Sequence, residues 1–305
     1  MRSSTAAAKA ALQLKTLLAI IISLVPLAAA ARGPEVLEPR GAWNVHYADK
    51  KCVAVRDFGA DKARVLLILE QYGPGQQFAL TLVGSRFSRA SENQAPTRIR
   101  FAPNEAQQDF EFFRGSLGPK NPALIGRRSV QIAPLPESML KAAAKGELVE
   151  PPLISETQLA EVRSLELRYV ARGIHLSTGR LDRLFKALDQ CTDNLVRSWG
   201  FDPVAMRALS RPPRPKTAPG KWLFPSDYPT VSILRGERAI VFPRLNIDET
   251  GNVTACEIQQ STKDGAFAEI VCNAFRKRAK FEPALDAAGK PVAAYWRNTV
   301  IFQLP

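Results

Sequence analysis

Residues 239–259 read AIVFPRLNIDETGNVTACEIQ, and this stretch decides the fold of the last quarter of the chain. A strand over Ala239–Ile247 runs into the turn Asp248-Glu249-Thr250-Gly251-Asn252. Gly251 and Asn252 tolerate the positive φ values that a tight reversal needs. The return strand, Val253–Gln259, puts Cys256 and Ile258 on one face, matching Leu245 and Ile247 before the turn. Period-two apolar faces mark a sheet packed on that side. A helix follows, with Asp264 as its N-cap. Its residues Phe267, Ile270, Val271, Ala274 and Phe275 recur at helical spacing, the stripe of a helix lying on a sheet. Lys280-Phe281-Glu282-Pro283 stops that helix, and Gly289-Lys290-Pro291-Val292 turns the chain into a last strand, Ala294–Gln303. The unit reads ββαβ. Pro243 inside the first strand implies an edge position or a bulge.

Tyr228-Pro229, strand, Asp-x-x-Gly turn, Gln260-Ser261, a Phe-led helix, Phe-x-Pro-Ala, Gly-x-Pro-Val and the ending Ile301-Phe302-Gln303-Leu304 follow one another in order. This ordered set resembles the C-terminal domain of the TonB energy-transducer family. The resemblance covers about a quarter of the chain. It departs from the family after Tyr228-Pro229, where Thr230-Val231-Ser232-Ile233-Leu234 replaces the usual alanine-rich short helix.

A three-stranded sheet with a helix on one face leaves an edge whose N–H and C=O groups are unpaired. An extended peptide can add to it as a further strand. The resemblance implies that the peptide belongs to an outer-membrane TonB-dependent receptor and docks on the final strand, near Tyr295–Phe302. Arg297, Asn298 and Thr299 are the candidate contacts on that strand, with Ser226, Asp227, Tyr228 and Pro229 flanking the groove. Trp296 and Phe302 read as core. Another envelope protein is the alternative partner, in a structural or sensory role with the TonB-like unit used for assembly. A homodimer is kept as a further alternative.

Residues 1–31 resemble an export signal: Lys9 and Lys15, the apolar run Leu17–Leu27, then Ala28–Ala31. The run is shorter than the roughly 20 residues that span a bilayer. Cleavage leaves a periplasmic protein. Retention leaves an inner-membrane anchor facing the periplasm, which direct energy coupling requires. The formal charge of +13 falls to +10 without Arg2, Lys9 and Lys15. A surface this basic favours anionic partners, but no nucleic-acid-binding module or aromatic-interleaved basic face is present, so no nucleic-acid role is assigned.

Four cysteines suit an oxidising compartment. Cys256 on a strand and Cys272 on the covering helix are one expected disulfide, which leaves Cys52 and Cys191 as the other. No zinc site is expected, because no C-x-x-C pair exists and His46 and His175 lie far apart.

The fold class is α+β. After the leader (1–31), residues 36–202 read as a β-rich sandwich or open-barrel domain of unknown role. Strands are expected at Ala42–Tyr47, Cys52–Asp57, Arg64–Glu70, Gln77–Val83, Arg98–Phe101, Phe110–Arg114, Ser129–Ile132 and Leu165–Val170. Helices are expected at Glu137–Ala144 and Glu156–Val162, with a closing helix over Gly179–Trp199. Residues 203–225, with six prolines among Arg211, Arg214, Lys216 and Lys221, read as a basic, semi-rigid linker to the TonB-like domain at 226–305. There is no nucleophile elbow, P-loop, zincin motif or dinucleotide fingerprint, and Asp57 and Glu70 read as scattered carboxylates. The chain is therefore read as a non-enzyme without cofactors, and no deep polar pocket is expected in its N-terminal region.

Overall fold

The computed structural model describes residues 33–91, 97–145, 149, 153–169, 173–263 and 265–304. The leader and Asp264, the expected helix cap, lie outside them. In chain order the first half holds β1 (Glu35–Leu37), β2 (Asn44–Ala48), β3 (Lys51–Phe58), β4 (Val65–Gln71), β5 (Ala79–Val83), β6 (Arg98–Ala102), β7 (Gln108–Asp109), β8 (Phe112–Ser116) and β9 (Pro122–Gly126). Helices α1 (Glu137–Ala144) and α2 (Glu156–Glu161), strands β10 (Ser164–Arg168) and β11 (Ile174–Leu176), and the long helix α3 (Asp182–Ser198) complete it.

The strands form two sheets, β1-β11-β10-β6-β7 and β2-β3-β4-β5-β9-β8. Alternation along β3 and β4 buries Cys52, Ala54, Phe58, Val65, Leu67 and Leu69 on one face. They share a core with Ile99, Phe101, Leu165 and Leu167 of the other sheet and with Leu184, Phe185 and Leu188 of α3. Phe78 meets Phe101 and Phe185 edge-on, at 5.9 and 5.8 Å. A disulfide joins Cys52 on β3 to Cys191 on α3. Helix α2 begins where Ser155 and Gln158 complete a reciprocal capping box.

Two local readings change. Ser129–Ile132 is not a strand but a single bridge from Val130 to Phe78, and the neighbouring strand is Pro122–Gly126. That segment opens on a proline and closes on a glycine, so composition reads it as a turn. The strand expected over Leu165–Val170 ends at Arg168, and Val170 lies outside the described residues.

The second half contains α4 (Pro203–Arg207), β12 (Arg214–Pro215), α5 (Thr230–Leu234), β13 (Ala239–Ile247), β14 (Val253–Ser261), α6 (Ala266–Arg278), β15 (Phe281–Glu282), β16 (Ala284–Leu285), β17 (Pro291–Val292), β18 (Ala294–Arg297) and β19 (Val300–Phe302). Strand β13 is central, with β14 on one side and β18 and β19 end to end on the other. Val241, Leu245, Ile247 and Cys256 pack under Phe267, Val271, Ala274 and Phe275 of α6, and Cys256 is bonded to Cys272. In the β13–β14 turn, the Asp248 carboxylate accepts from the N–H groups of Thr250 and Asn252. Gly251 has φ +86°, and a Cβ there would stand 2.0 Å from the Phe281 carbonyl oxygen.

Pro243 is not on an edge. It sits in the central strand at a register shift after Phe242, the bulge alternative. Having no N–H, it leaves the opposing strand one ladder bond short, and the final strand divides there, at Asn298-Thr299, into β18 and β19.

Residues 203–225 are not an extended spacer. Asp202 caps α4 through the Val204 N–H, β12 pairs with β15, and Trp222 is buried among Phe275, Phe281 and Trp296. Pro203 opens α4, which is tied to α3 through Arg207 and Asp193, whereas Pro215 closes β12 on the C-terminal unit. Residues 230–234, expected to lack the short helix, form α5, which starts directly after Pro229.

Candidate functional site

Strands β18 and β19 form one border of the C-terminal sheet and, among the described residues, pair only with β13. The N–H of Asn298 donates inward to the Pro243 carbonyl at 3.2 Å. Alternation along an antiparallel ladder therefore aims the N–H and C=O of Arg297 outward. The next N–H, of Thr299, turns back to the Asn298 side-chain oxygen at 2.9 Å.

The segment from Trp222 to Tyr228 lies beside α6 and covers the helix-side face of this border. Trp222 meets Trp296 at 5.4 Å and Tyr228 meets Phe302 at 5.5 Å, so equal steps along the two segments stay in contact. The Tyr228 hydroxyl donates to the Glu237 carbonyl at 2.6 Å. Arg278 donates to both oxygens of Asp227, and this pairing holds the carboxyl below its usual range.

The N-terminal half covers the other face. Ile240, Phe242 and Ile301 pack on Tyr72, Ala79 and Phe113, with the Tyr72 and Phe242 rings stacked at 4.1 Å. The Gln259 amide donates to the carbonyls of Tyr72 and Lys50, at 2.7 and 3.1 Å. Tyr295 packs against Trp199 and Phe201, and Arg244 lies over the Trp199 ring at 4.7 Å.

Between the two halves opens a cleft of about 590 Å³, bounded by Tyr72, Pro74 and Gln76 on one wall and by Arg297, Asn298 and Thr299 on the other. Arg297 donates to the Pro74 carbonyl. The loop can approach because residue 73 is glycine: a Cβ there would stand 2.9 Å from the guanidinium carbon and 2.8 Å from Trp199.

The expected contact residues thus divide into two groups on one border. Arg297, Asn298 and Thr299 line the cleft. Asp227 and Tyr228 serve the fold on the opposite face, Pro229 is the N-cap of α5, and Ser226, just ahead of Asp227, is exposed. Trp296 and Phe302 belong to the core. The wall formed by Tyr72-Gly73-Pro74-Gly75 was not anticipated. In sequence it reads as a β4–β5 turn, and its only local signal is two glycines around a proline.

Residues 225–304 match the family model of the Gram-negative bacterial TonB protein C-terminal. The match covers α5, the sheet and α6, and it starts just after Trp222, so the core of the TonB-like domain reaches back beyond the matched residues. No curated protein matches the chain. The border strand of this TonB-like domain is the wall of the cleft.

A second, open groove of about 1030 Å³ runs along α3 past Asp182, Asp189 and Asp193 to Arg207. Asp193 is held by Arg207 and Asp182 by Arg180. Burial, reinforced by Asp193, raises the Asp189 carboxyl above its usual range. Among the described residues no group of His, Cys, Asp or Glu is arranged to hold a metal ion, and no helix is long and apolar enough to cross a membrane.

Proposed function

We propose that the TonB-like domain captures an extended peptide by strand addition on the outer border of β18 and β19, as a binding protein rather than an enzyme. The unpaired border that walls the cleft carries this reading. Main-chain bonds to the outward groups of Arg297 would supply affinity, and side chains entering the cleft would supply selectivity. The N-terminal half covers a face of the sheet, and among the described residues this border has no strand partner beyond β13. The partner class is the periplasm-facing N-terminal segment of an outer-membrane receptor. Energy coupling would further require residues 1–31 to remain as an anchor.

The test is titration of isotope-labelled protein with synthetic receptor N-terminal peptides, read by backbone amide shifts. Shifts concentrated at 295–302 and at 72–77 support strand addition. Shifts confined to the α3 groove would sink it and favour the assembly reading, in which the N-terminal half binds the main ligand.

A further inference from the structure

Helix α5 is turned inside out. A helix on a protein surface faces its apolar residues inward. In α5 the buried residue is Ser232, 6% exposed, while Val231, Ile233 and Leu234 are 56%, 41% and 83% exposed. Leu304 extends this apolar tip: it is 38% exposed, and a Cβ at Gly236 would stand 4.0 Å from its side chain. Hydrogen bonds hold the helix in this orientation. The Ser232 hydroxyl donates to the Glu237 carboxylate at 2.9 Å, and the Glu237 N–H donates to the Ser232 carbonyl at 2.8 Å. The Tyr228 hydroxyl fixes the Glu237 carbonyl in turn. Rolling the apolar residues inward would break the Ser232 bonds and strand the Glu237 carboxylate.

The tip has a basic rim. Arg235 follows Leu234 directly and is exposed, and Lys263 reaches the same pole, 3.7 Å from Glu237. Arg238 lies on the flank, over the Phe113 ring at 4.6 Å. The carboxylate among these cations, Glu237, is engaged by Ser232 and Lys263, so the rim is net basic.

Apolar side chains ringed by cations match the boundary of an anionic bilayer, where acyl chains lie beneath phosphates. A protein partner fits less well. A stable protein interface takes roughly 20–30 residues a side, and this tip offers four apolar ones. We infer that α5 and Leu304 dip into the surface of an anionic membrane, with Arg235 and Lys263 at the phosphates. This membrane contact goes beyond peptide capture and does not depend on it. Strand β19 ends at the same pole, where Phe302 pairs with Ala239, so docking would also hold the peptide border close to a bilayer.

The test uses the chain freed of residues 1–31, whose apolar run would bind bilayers by itself. It is sedimented with vesicles of phosphatidylcholine, with and without phosphatidylglycerol. Wild type should bind the mixed vesicles about tenfold more tightly than the neutral ones, and Arg235→Glu should narrow that gap. Val231→Ser with Leu234→Ser should weaken binding to the mixed vesicles about tenfold, because it removes the apolar area that enters the bilayer. All three substituted side chains are exposed, and thermal unfolding checks that the variants stay folded. Leu234→Trp supplies a second readout: its added fluorescence should shift to the blue on the mixed vesicles. Absence of binding to the mixed vesicles overturns the inference, and so does binding that the serine pair leaves intact. A dimer in sedimentation velocity that the same pair dissolves also overturns it, by making a second copy the cover.

Discussion

Trp222 lies 5.4 Å from Trp296, with its indole N–H donating to the Thr217 hydroxyl at 2.8 Å, so a residue expected in a spacer is part of the core it was thought to precede. It also meets Phe275 edge-on and Phe281 at a tilt, and it is buried. Replacing a buried tryptophan with alanine removes its transfer free energy and leaves a cavity. W222A should therefore cost about 3–5 kcal/mol, read as a fall in the urea midpoint at unchanged slope. A loss below about 1 kcal/mol would mean that 203–225 hangs loosely on the domain after all.

Local patterning made several parts of this molecule legible. The β13 turn and β14 follow from alternation and from Gly251, and α6 follows from its stripe. The Cys256–Cys272 pair follows from a strand lying under its covering helix, and Cys52–Cys191 follows by elimination. The rest depends on contacts between distant segments. Ile240 and Phe242 on one face of β13, with Val241 and Leu245 on the other, mark a strand covered on both sides. Nothing local says that Tyr72 and Phe113 do the covering. Proline counting failed at 203–225 because a proline that begins a helix or ends a strand has the same letter as one in an extended linker. The resemblance singled out residues 297–299 on the last strand, and they line the cleft, but the loop facing them carried no comparable signal.

The two disulfides close loops of very different length, with sequence separations of 139 and 16. Loop-closure entropy assigns about 5 kcal/mol to the longer and about 3 kcal/mol to the shorter. Removing Cys52 and Cys191 together should lower the melting temperature more than removing Cys256 and Cys272. Differential scanning calorimetry of the two double alanine variants checks the order. The reverse order would show that local packing around α6, rather than chain entropy, sets the contribution.

Acid should loosen the contact between Asp227 and α6. The hydrogen bonds from Arg278 depress the folded-state pKa of Asp227, and the Phe224 N–H adds a further bond at 2.7 Å. A depressed carboxyl contributes stability that is fully present above its unfolded value of about 3.9 and is lost as pH falls through the lower folded value. Asp248, held down chiefly by the Thr250 hydroxyl and the Asn252 N–H, acts in the same direction at the β13–β14 turn. D227N should therefore lower the melting temperature at pH 7 and lower it by less at about pH 3, below the unfolded value. An effect of equal size at both values would assign the loss to packing instead of charge.

The stacked rings of Tyr72 and Phe242 carry a consequence for cutting the chain at the family boundary. Residues 225–304 together with Trp222 hold the helix-side core, yet Ile240, Phe242 and Ile301 owe their burial to Tyr72, Ala79 and Phe113. Excised with Trp222 retained, the TonB-like domain would present those three side chains and the Arg244 guanidinium to water on one sheet face. A contiguous apolar face of this kind drives association. The fragment 217–305 should therefore elute as a dimer or larger species and bind a hydrophobic dye, whereas residues 33–305 do neither. Ile240→Ser with Phe242→Ser should restore the fragment to a monomer, because the substituted side chains lie on the face opposite α6 and leave its core intact. A wild-type fragment that stays monomeric and dye-free in analytical ultracentrifugation would show that the sheet tolerates an open face, and that the N-terminal half is not needed to keep it soluble.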